Sequence, residues 1–286
     1  MRATREHPEI GEVKERLRRL GIRAAKGLGQ HFLVDRAVLR KIVEAADLDK
    51  EDTVLEVGPG LGMLTDDLVE RASKVVAVEV DSVLAAGLAR RYSGRDNVAI
   101  VNADVLDVDP SGLKLGGHYK VLGNLPYYVA SAILRHLLEA TLKPELMVVM
   151  LQKEVAEAVV AGPGRMSLAG IAVQLYGKPS IIDYVPAKCF YPPPKVESAI
   201  IRIDVYPEPA LRLRDIEGFF QIVKAGFSSR RKQIRNSLAV GLDATTDESA
   251  SLLKRADIDP TRRPQTLSLE EWARLHETRD VLVVKE

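Results

Sequence analysis

Two short stretches of this sequence carry side chains that could do chemistry. Asn124-Leu125-Pro126-Tyr127-Tyr128 combines an amide, a stiffened backbone and two phenols. Glu56-Val57-Gly58-Pro59-Gly60-Leu61-Gly62 places an acid just before closely spaced glycines. The first stretch suits a planar amino group such as that of adenine, a poor nucleophile whose lone pair is delocalised into the ring. The Asn124 side-chain oxygen and the Leu125 carbonyl could accept its two hydrogens and favour a pyramidal nitrogen. Pro126 fixes φ and would present that carbonyl. Tyr127 could stack on the base, a contact worth about 1–3 kcal/mol. Such a site works by positioning, which contributes roughly 7–11 kcal/mol for well-oriented reactants. The same residue types also make ordinary turns, so context must decide.

The glycine stretch suits a ligand that approaches the backbone closely at a strand–turn–helix junction. A bare glycine cluster can also be a plain connection. It is not the dinucleotide pattern G-x-G-x-x-G, because counting from Gly58 the last glycine falls on Met63, and counting from Gly60 it falls on Thr65. Glu79 follows about twenty residues after the first glycine, where a carboxylate can accept from ribose hydroxyls. Asp104, in Asn102-Ala103-Asp104, could accept from an adenine amino group. No basic residue in the turn is placed to meet a pyrophosphate. The set Gly58, Gly60, Glu79 and Asp104 therefore favours S-adenosylmethionine as the cofactor.

The elements that must hold these groups are legible in the apolar pattern. Thr53–Val57, Lys74–Glu79, Asn97–Val101, Tyr119–Gly123 and Glu145–Leu151 read as buried strands. Helical spacing falls between them, at Met63–Arg71, Ser82–Tyr92 and Val129–Ala140. β-Branched runs alternating with helices predict a parallel sheet covered on both faces. Both candidate motifs then lie at the carboxyl ends of strands, where such sheets bind ligands. Ser180–Tyr184 and Ser198–Val205 read as two further strands, consistent with an antiparallel pair closing the sheet. Tyr206–Pro209 reads as a linker, and helical spacing follows at about 215–226, 228–240, 247–255 and 268–278. The expected architecture is α/β: a Rossmann-like, mostly parallel seven-stranded domain over 1–206, with a basic extension over 1–41, and a small all-helical domain over 207–286.

The 286 residues carry a net charge of only +1, but the charge is uneven. The first 41 residues are strongly basic, the middle is acidic, and Arg230, Arg231, Lys232 and Arg235 cluster without a nearby acid. Local basic patches suit phosphate surfaces, although solvated helix faces look the same. No apolar run approaches the length of a membrane span, and the N-terminus lacks an apolar signal core. One cysteine, Cys189, cannot form an internal disulfide, and no Cys/His cluster suggests zinc or another metal. A cytoplasmic protein with no membrane partner is expected.

Five motifs occur in order: Lys26–Leu33 (KGLGQHFL), Glu56–Gly62, Asn124–Tyr128, Phe190–Ser198 (FYPPPKVES) and Phe227–Leu238 (FSSRRKQIRNSL). Together they resemble the ribosomal RNA adenine dimethyltransferases, in particular the small-subunit branch tied to kasugamycin sensitivity. The resemblance covers roughly residues 20–280. It implies a class I methyltransferase that dimethylates N6 of two adjacent adenosines near the 3′ end of 16S rRNA, late in assembly of the 30S subunit, and acts as a monomer. It further implies cofactor contacts from His31, Leu33, Gly58, Glu79, Asp104 and Asn124. His31 departs from the family, which more often has Asn there. The resemblance makes Phe190 the aromatic that faces Tyr127 across an extruded adenine. Arg230, Arg231, Lys232 and Arg235 would track rRNA phosphates, as could Arg262, Arg263, Lys14, Arg16, Arg18 and Arg19. Cys189 is expected to be structural, since an amino nitrogen needs no covalent step.

Other readings stay open at this point. Large-subunit rRNA adenine methyltransferases share these motifs, and Asn-x-Pro-Tyr also serves methylation of DNA adenine and protein glutamine. A non-catalytic assembly factor on the same fold would have lost acceptors or glycines, and here they are present. An NAD-dependent oxidoreductase is disfavoured by the glycine spacing.

Overall fold

The computed structural model describes residues 9–23, 30–229 and 231–283. By contacts the chain divides into two compact units. One comprises the residues up to Ala156 together with Lys178–Pro207, the other Glu157–Gly177 with the residues from Glu208 onward. The stretch 157–177, which the sequence pattern assigns to the first domain, thus packs with the C-terminal helices instead.

The first unit opens with α1 (Ile10–Leu20), a charge-rich helix that buries Val13 and Leu17 one turn apart. Then come β1 (Phe32–Leu33) and α2 (Arg36–Ala45), whose first turn is capped by Asp35 accepting from Ala37 N and Val38 N. The alternating core follows: β2 (Thr53–Val57), α3 (Thr65–Arg71), β3 (Lys74–Glu79), α4 (Ser82–Arg91), β4 (Val98–Asn102), β5 (Lys120–Asn124), α5 (Ala130–Glu139) and β6 (Leu146–Gln152). Asp81 caps α4 as Asp35 caps α2. After α6 (Lys153–Val160) and α7 (Leu168–Tyr176) come β7 (Gly177–Val185), β8 (Phe190–Tyr191) and β9 (Ser198–Val205).

The large sheet has the order β4-β3-β2-β5-β6-β9-β7. Its first five strands pair in parallel, and β9 runs antiparallel to β6, with Gln152 opposite Ser198. β9 therefore lies inside the sheet and not at its edge. Residues 147–151 are fully buried, as a strand covered on both faces requires. At Gly123, a Cβ would come within 2.4 Å of the Val57 carbonyl oxygen, so only glycine lets β5 approach β2 there. The chain also forms a two-stranded antiparallel ladder, in which Phe32 pairs with Tyr191 and Leu33 with Phe190.

The second unit contains α7 and α8 (Ile216–Phe227), α9 (Ile234–Gly241), α10 (Thr246–Arg255) and α11 (Leu269–Val283). Trp272 is its buried centre, stacked on Phe227 at 5.6 Å. The helix expected over 228–240 begins only at Ile234. The described residues before it, 228–229 and 231–233, are not helical, and Ser228 Oγ donates to Ser237 O and Ser237 Oγ to Ser229 O, both at 3.0 Å. α1, α2, α6 and α7 are helices that the apolar pattern does not single out. Among the described residues, no helix is long and apolar enough to cross a membrane.

Candidate active site

A cleft opens at the carboxyl ends of β2, β3 and β5, inside the first unit, and both chemical motifs line it. The turn after β2 is held from two sides. The Glu79 carboxylate, at the end of β3 and 5% exposed, accepts from Gly60 N and from Asp81 N, each at 2.9 Å. Burial pushes the Glu79 carboxyl up, while these backbone donors pull it back down. Gly60 has φ +58°, and a Cβ there would press on the Phe32 ring at 3.2 Å. The aromatic ring of β1 is thus laid directly on the turn.

Asp104 lines the same cleft. Its Oδ1 caps a short 3₁₀ turn by accepting from Leu106 N at 3.0 Å, which leaves Oδ2 available. Glu56 lies on the floor, 1% exposed, and accepts from Thr65 Oγ1 at 2.6 Å. Burial pushes its carboxyl up to about 8. Among the described lining residues there is no lysine or arginine. The cleft thus offers carboxylates and main-chain groups, which suits a ligand with ribose, adenine and a cationic tail better than a pyrophosphate.

At the other end of the cleft, Asn124 closes β5. Its Nδ2 donates to His31 O at 2.9 Å. A carbonyl can only accept, so this bond fixes the amide orientation. Oδ1 then has no protein partner among the described residues. Leu125 follows with its side chain buried and its N–H donated to Met150 O at 3.2 Å. Pro126 and Tyr127 also line the cleft. The Tyr127 hydroxyl lies 2.6 Å from Ser198 Oγ, and burial pushes its phenol upward. His31 Nδ1 donates to Pro192 O at 2.7 Å, and its ring stacks on Tyr127 at 5.9 Å and 22°.

Of the residues singled out by sequence, His31, Leu33, Gly58, Gly60, Glu79, Asp104, Asn124, Leu125, Pro126 and Tyr127 meet in this one cleft. Phe190 does not. It is 1% exposed and packs in the hydrophobic core, behind Leu33 in the small ladder. The ring stacked against Tyr127 is His31. Cys189 is buried, and its Sγ sits 3.4 Å from Asp35 Oδ2. Burial pushes its thiol up to about 11, the opposite of a nucleophile.

Three cleft residues stand inside the motifs quoted from the sequence without a role assigned to them there. Glu56 is one. Tyr128 is another, 70% exposed at the rim. Gln30 is the third, whose Nε2 donates to Asp81 Oδ2 at 3.1 Å. Membership of those motifs is the signal the sequence offers for them.

The basic residues divide sharply. Arg231 and Lys232 are exposed on the turn before α9, and Arg235 is half-buried on α9 itself. Arg230 and the motif residues Lys26–Gly29 lie outside the described residues. Arg262 is committed inside its own unit, to Glu271 and to Thr266 O. Arg18 and Arg19 pair with Glu15, and Lys14 sits 5.5 Å over the Tyr191 ring.

A family model described as ribosomal RNA adenine dimethylase matches residues 21–277. A ribosomal RNA small subunit methyltransferase A from Dehalococcoides mccartyi is 48% identical over 269 residues, covering 93% of this chain and 92% of that protein. One from Pelotomaculum thermopropionicum is 45% identical, covering 91% and 93%. Among solved structures, the 23S rRNA methyltransferase ErmE is similar with a TM-score of 0.66 and 31% identity, covering 87% of this chain and 99% of its own. A dimethyladenosine transferase from Plasmodium falciparum has a TM-score of 0.71 at 25% identity, covering 86% and 96%.

Proposed function

The chain belongs to the ribosomal RNA adenine dimethylase family, and from that premise we propose that it transfers methyl groups from S-adenosylmethionine to N6 of two adjacent adenosines near the 3′ end of small-subunit rRNA. It acts in the cytoplasm, as a monomer, on the assembling 30S subunit. The observation that carries the chemistry is the orientation of Asn124: its nitrogen is tied to His31 O, which leaves its oxygen without a protein partner among the described residues, in a cleft that Glu79 and Asp104 also line.

The residues fit the cofactor. Glu79 keeps lone pairs beyond those given to Gly60 N and Asp81 N, enough for ribose hydroxyls. Asp104 offers its second oxygen to an adenine amino group. Gly58 and Gly60 would let the cofactor approach the backbone of the turn, and His31 and Leu33, which line the same cleft, would contact it. When bound, S-adenosylmethionine supplies a methyl group on a sulfonium, a leaving group that needs no acid. Asn124 Oδ1 and the Leu125 carbonyl hold the target amino hydrogens, Pro126 stiffens that carbonyl, and Tyr127 holds the base face. The rim residue Tyr128 is placed to meet nucleotides entering the cleft. Exclusion of water and orientation supply the rate enhancement, with no covalent enzyme intermediate.

Arg231, Lys232 and Arg235, with Arg230, supply phosphate contacts that position the RNA without reading it. Relatives named for the small subunit, at 45–48% identity, favour that target over the large subunit named for the 31% identical neighbour.

The test is transfer of labelled methyl groups to unmethylated small subunits, followed by nucleoside analysis. Dimethyladenosine at two adjacent 3′-terminal sites, lost in Asn124→Ala, is the expected result. Label on large-subunit RNA alone would keep the chemistry and move the target. No label on any RNA, despite cofactor binding, would favour a non-catalytic assembly role.

A further inference from the structure

The arginine in the middle of α1 has no role in the site described so far. Arg16 resembles an RNA-binding arginine by its neighbourhood in sequence, but its side chain is only 13% exposed. Its guanidinium is spent inward. Nη1 donates to Leu61 O at 2.6 Å, and Nη2 donates to Asp66 Oδ2 at 2.9 Å and to the Glu12 carboxylate. Leu61 stands between Gly60 and Gly62, in the cofactor turn itself.

The network around this arginine is closed. Asp66 also accepts from Arg91 Nη2 at 2.7 Å and from the Tyr92 hydroxyl at 2.7 Å. That hydroxyl lies 3.3 Å from Gly62 O. Glu12 is shared with Arg36 at 3.0 Å. Burial works against the charge on Glu12, yet Arg16 and Arg36 hold its carboxyl below the usual range. Close packing seats the helix. At Gly87 of α4 a Cβ would come within 2.6 Å of Leu20 Cδ2, so the end of α1 rests on bare backbone.

Two polar groups of one turn are therefore held from opposite sides. Gly60 N is bound by Glu79 from β3, and Leu61 O by Arg16 from α1. A turn rich in glycine has many alternative backbone states. Fixing it before the ligand arrives removes that ordering cost from binding. A planar fork can bridge a carbonyl and a carboxylate together, which a lysine ammonium on a flexible stem does less well.

We propose that Arg16 is a positioning residue for cofactor binding, and that α1 braces the cofactor turn from behind and is not an RNA-binding arm. This rests on the reading that the cleft binds S-adenosylmethionine.

The experiment compares the full-length wild type with Arg16→Met and Arg16→Lys. Calorimetry gives the Kd for S-adenosylmethionine and S-adenosylhomocysteine, and steady-state methylation of small subunits gives kcat and both KM values. Arg16→Met should weaken both cofactor ligands by about tenfold, the scale of one charged hydrogen bond. KM for S-adenosylmethionine should rise in step, while kcat at saturating cofactor and KM for the subunit stay at wild-type values. Arg16→Lys should fall between. Ile203→Ala, a buried truncation in β9, reports what lost stability alone does; it should lower Tm and leave the cofactor Kd unchanged. A cofactor Kd within twofold of wild type in Arg16→Met would overturn the proposal. So would a rise in the subunit KM alone, which would return Arg16 to RNA. If wild type itself bound neither cofactor ligand, the functional reading would fail, and this inference with it.

Discussion

At the cofactor end of the cleft, main-chain groups and buried side chains hold one another: Gly60 N and Asp81 N on Glu79, Leu61 O on Arg16, Thr65 on Glu56. At the target end, side chains stand with spare valences. Asn124 Oδ1 has no protein partner among the described residues, and Tyr128 is 70% exposed. The turn at the first end is fixed before any ligand arrives, so its ordering cost is met in folding. The second is completed only by a substrate. A site that uses one cofactor and one mobile RNA segment benefits from this division, because the invariant ligand gains from preorganisation and the extruded base needs room.

The sharpest way to break this comparison is Asn124→Ala. Losing an acceptor that acts only in the reacting complex should cost about 100- to 1,000-fold in turnover. Cofactor affinity should change little, since the turn is held elsewhere. If affinity fell as far as turnover, the two ends would not be separable.

Phe190→Ala comes next. A core Phe truncated to Ala costs about 3–5 kcal/mol of stability. An aromatic wall for the base would instead cost turnover at unchanged Tm. Thermal unfolding and single-turnover rates on the same preparation separate the two, and burial in the core predicts the loss of stability.

Glu56 sharpens the cofactor end. A carboxyl raised from 4.5 to about 8 contributes stability while protonated, fully present below pH 4.5 and lost as pH rises toward 8. Glu56→Gln keeps the neutral form at every pH. Its stability relative to wild type should therefore increase between about pH 5 and about pH 8.5, read from urea midpoints. A pH-independent difference would mean the acid is not neutral in the folded state.

The smallest effects belong to the second unit. Arg231→Ala with Lys232→Ala should lower the salt slope of RNA binding by about 1–2 and leave cofactor binding alone. An unchanged slope would remove this turn from the RNA surface.

Much of this was legible along the chain. TVLEV and KVVAVE are strands over the expected residues, and Glu79 and Asp104 sit where strand ends place them. Local apolar runs carry that information, because a strand buried on both faces must be apolar throughout. What was not legible depends on distant partners. Phe190 has the residue type of a pocket wall, and only the ladder with Leu33 shows that it is packed behind one. α7 (LAGIAVQLY) is apolar on nearly every face, so its helical period is hidden. Arg16 looks like its neighbours Arg18 and Arg19, and only the approach of α3 and α4 distinguishes it.

The small ladder also sets a schedule. His31 and Pro192, whose hydrogen bond fixes one wall of the cleft, are 161 residues apart in the chain. During synthesis the glycine turn, Glu79, Asp104 and Asn124 all emerge before β8, and Ser198, the partner of Tyr127, emerges later still. At a translation rate of 5–20 residues per second, the nascent chain carries an unfinished cleft for roughly 8–30 s. An enzyme of ribosomes therefore becomes competent only after the methyltransferase unit is almost wholly made.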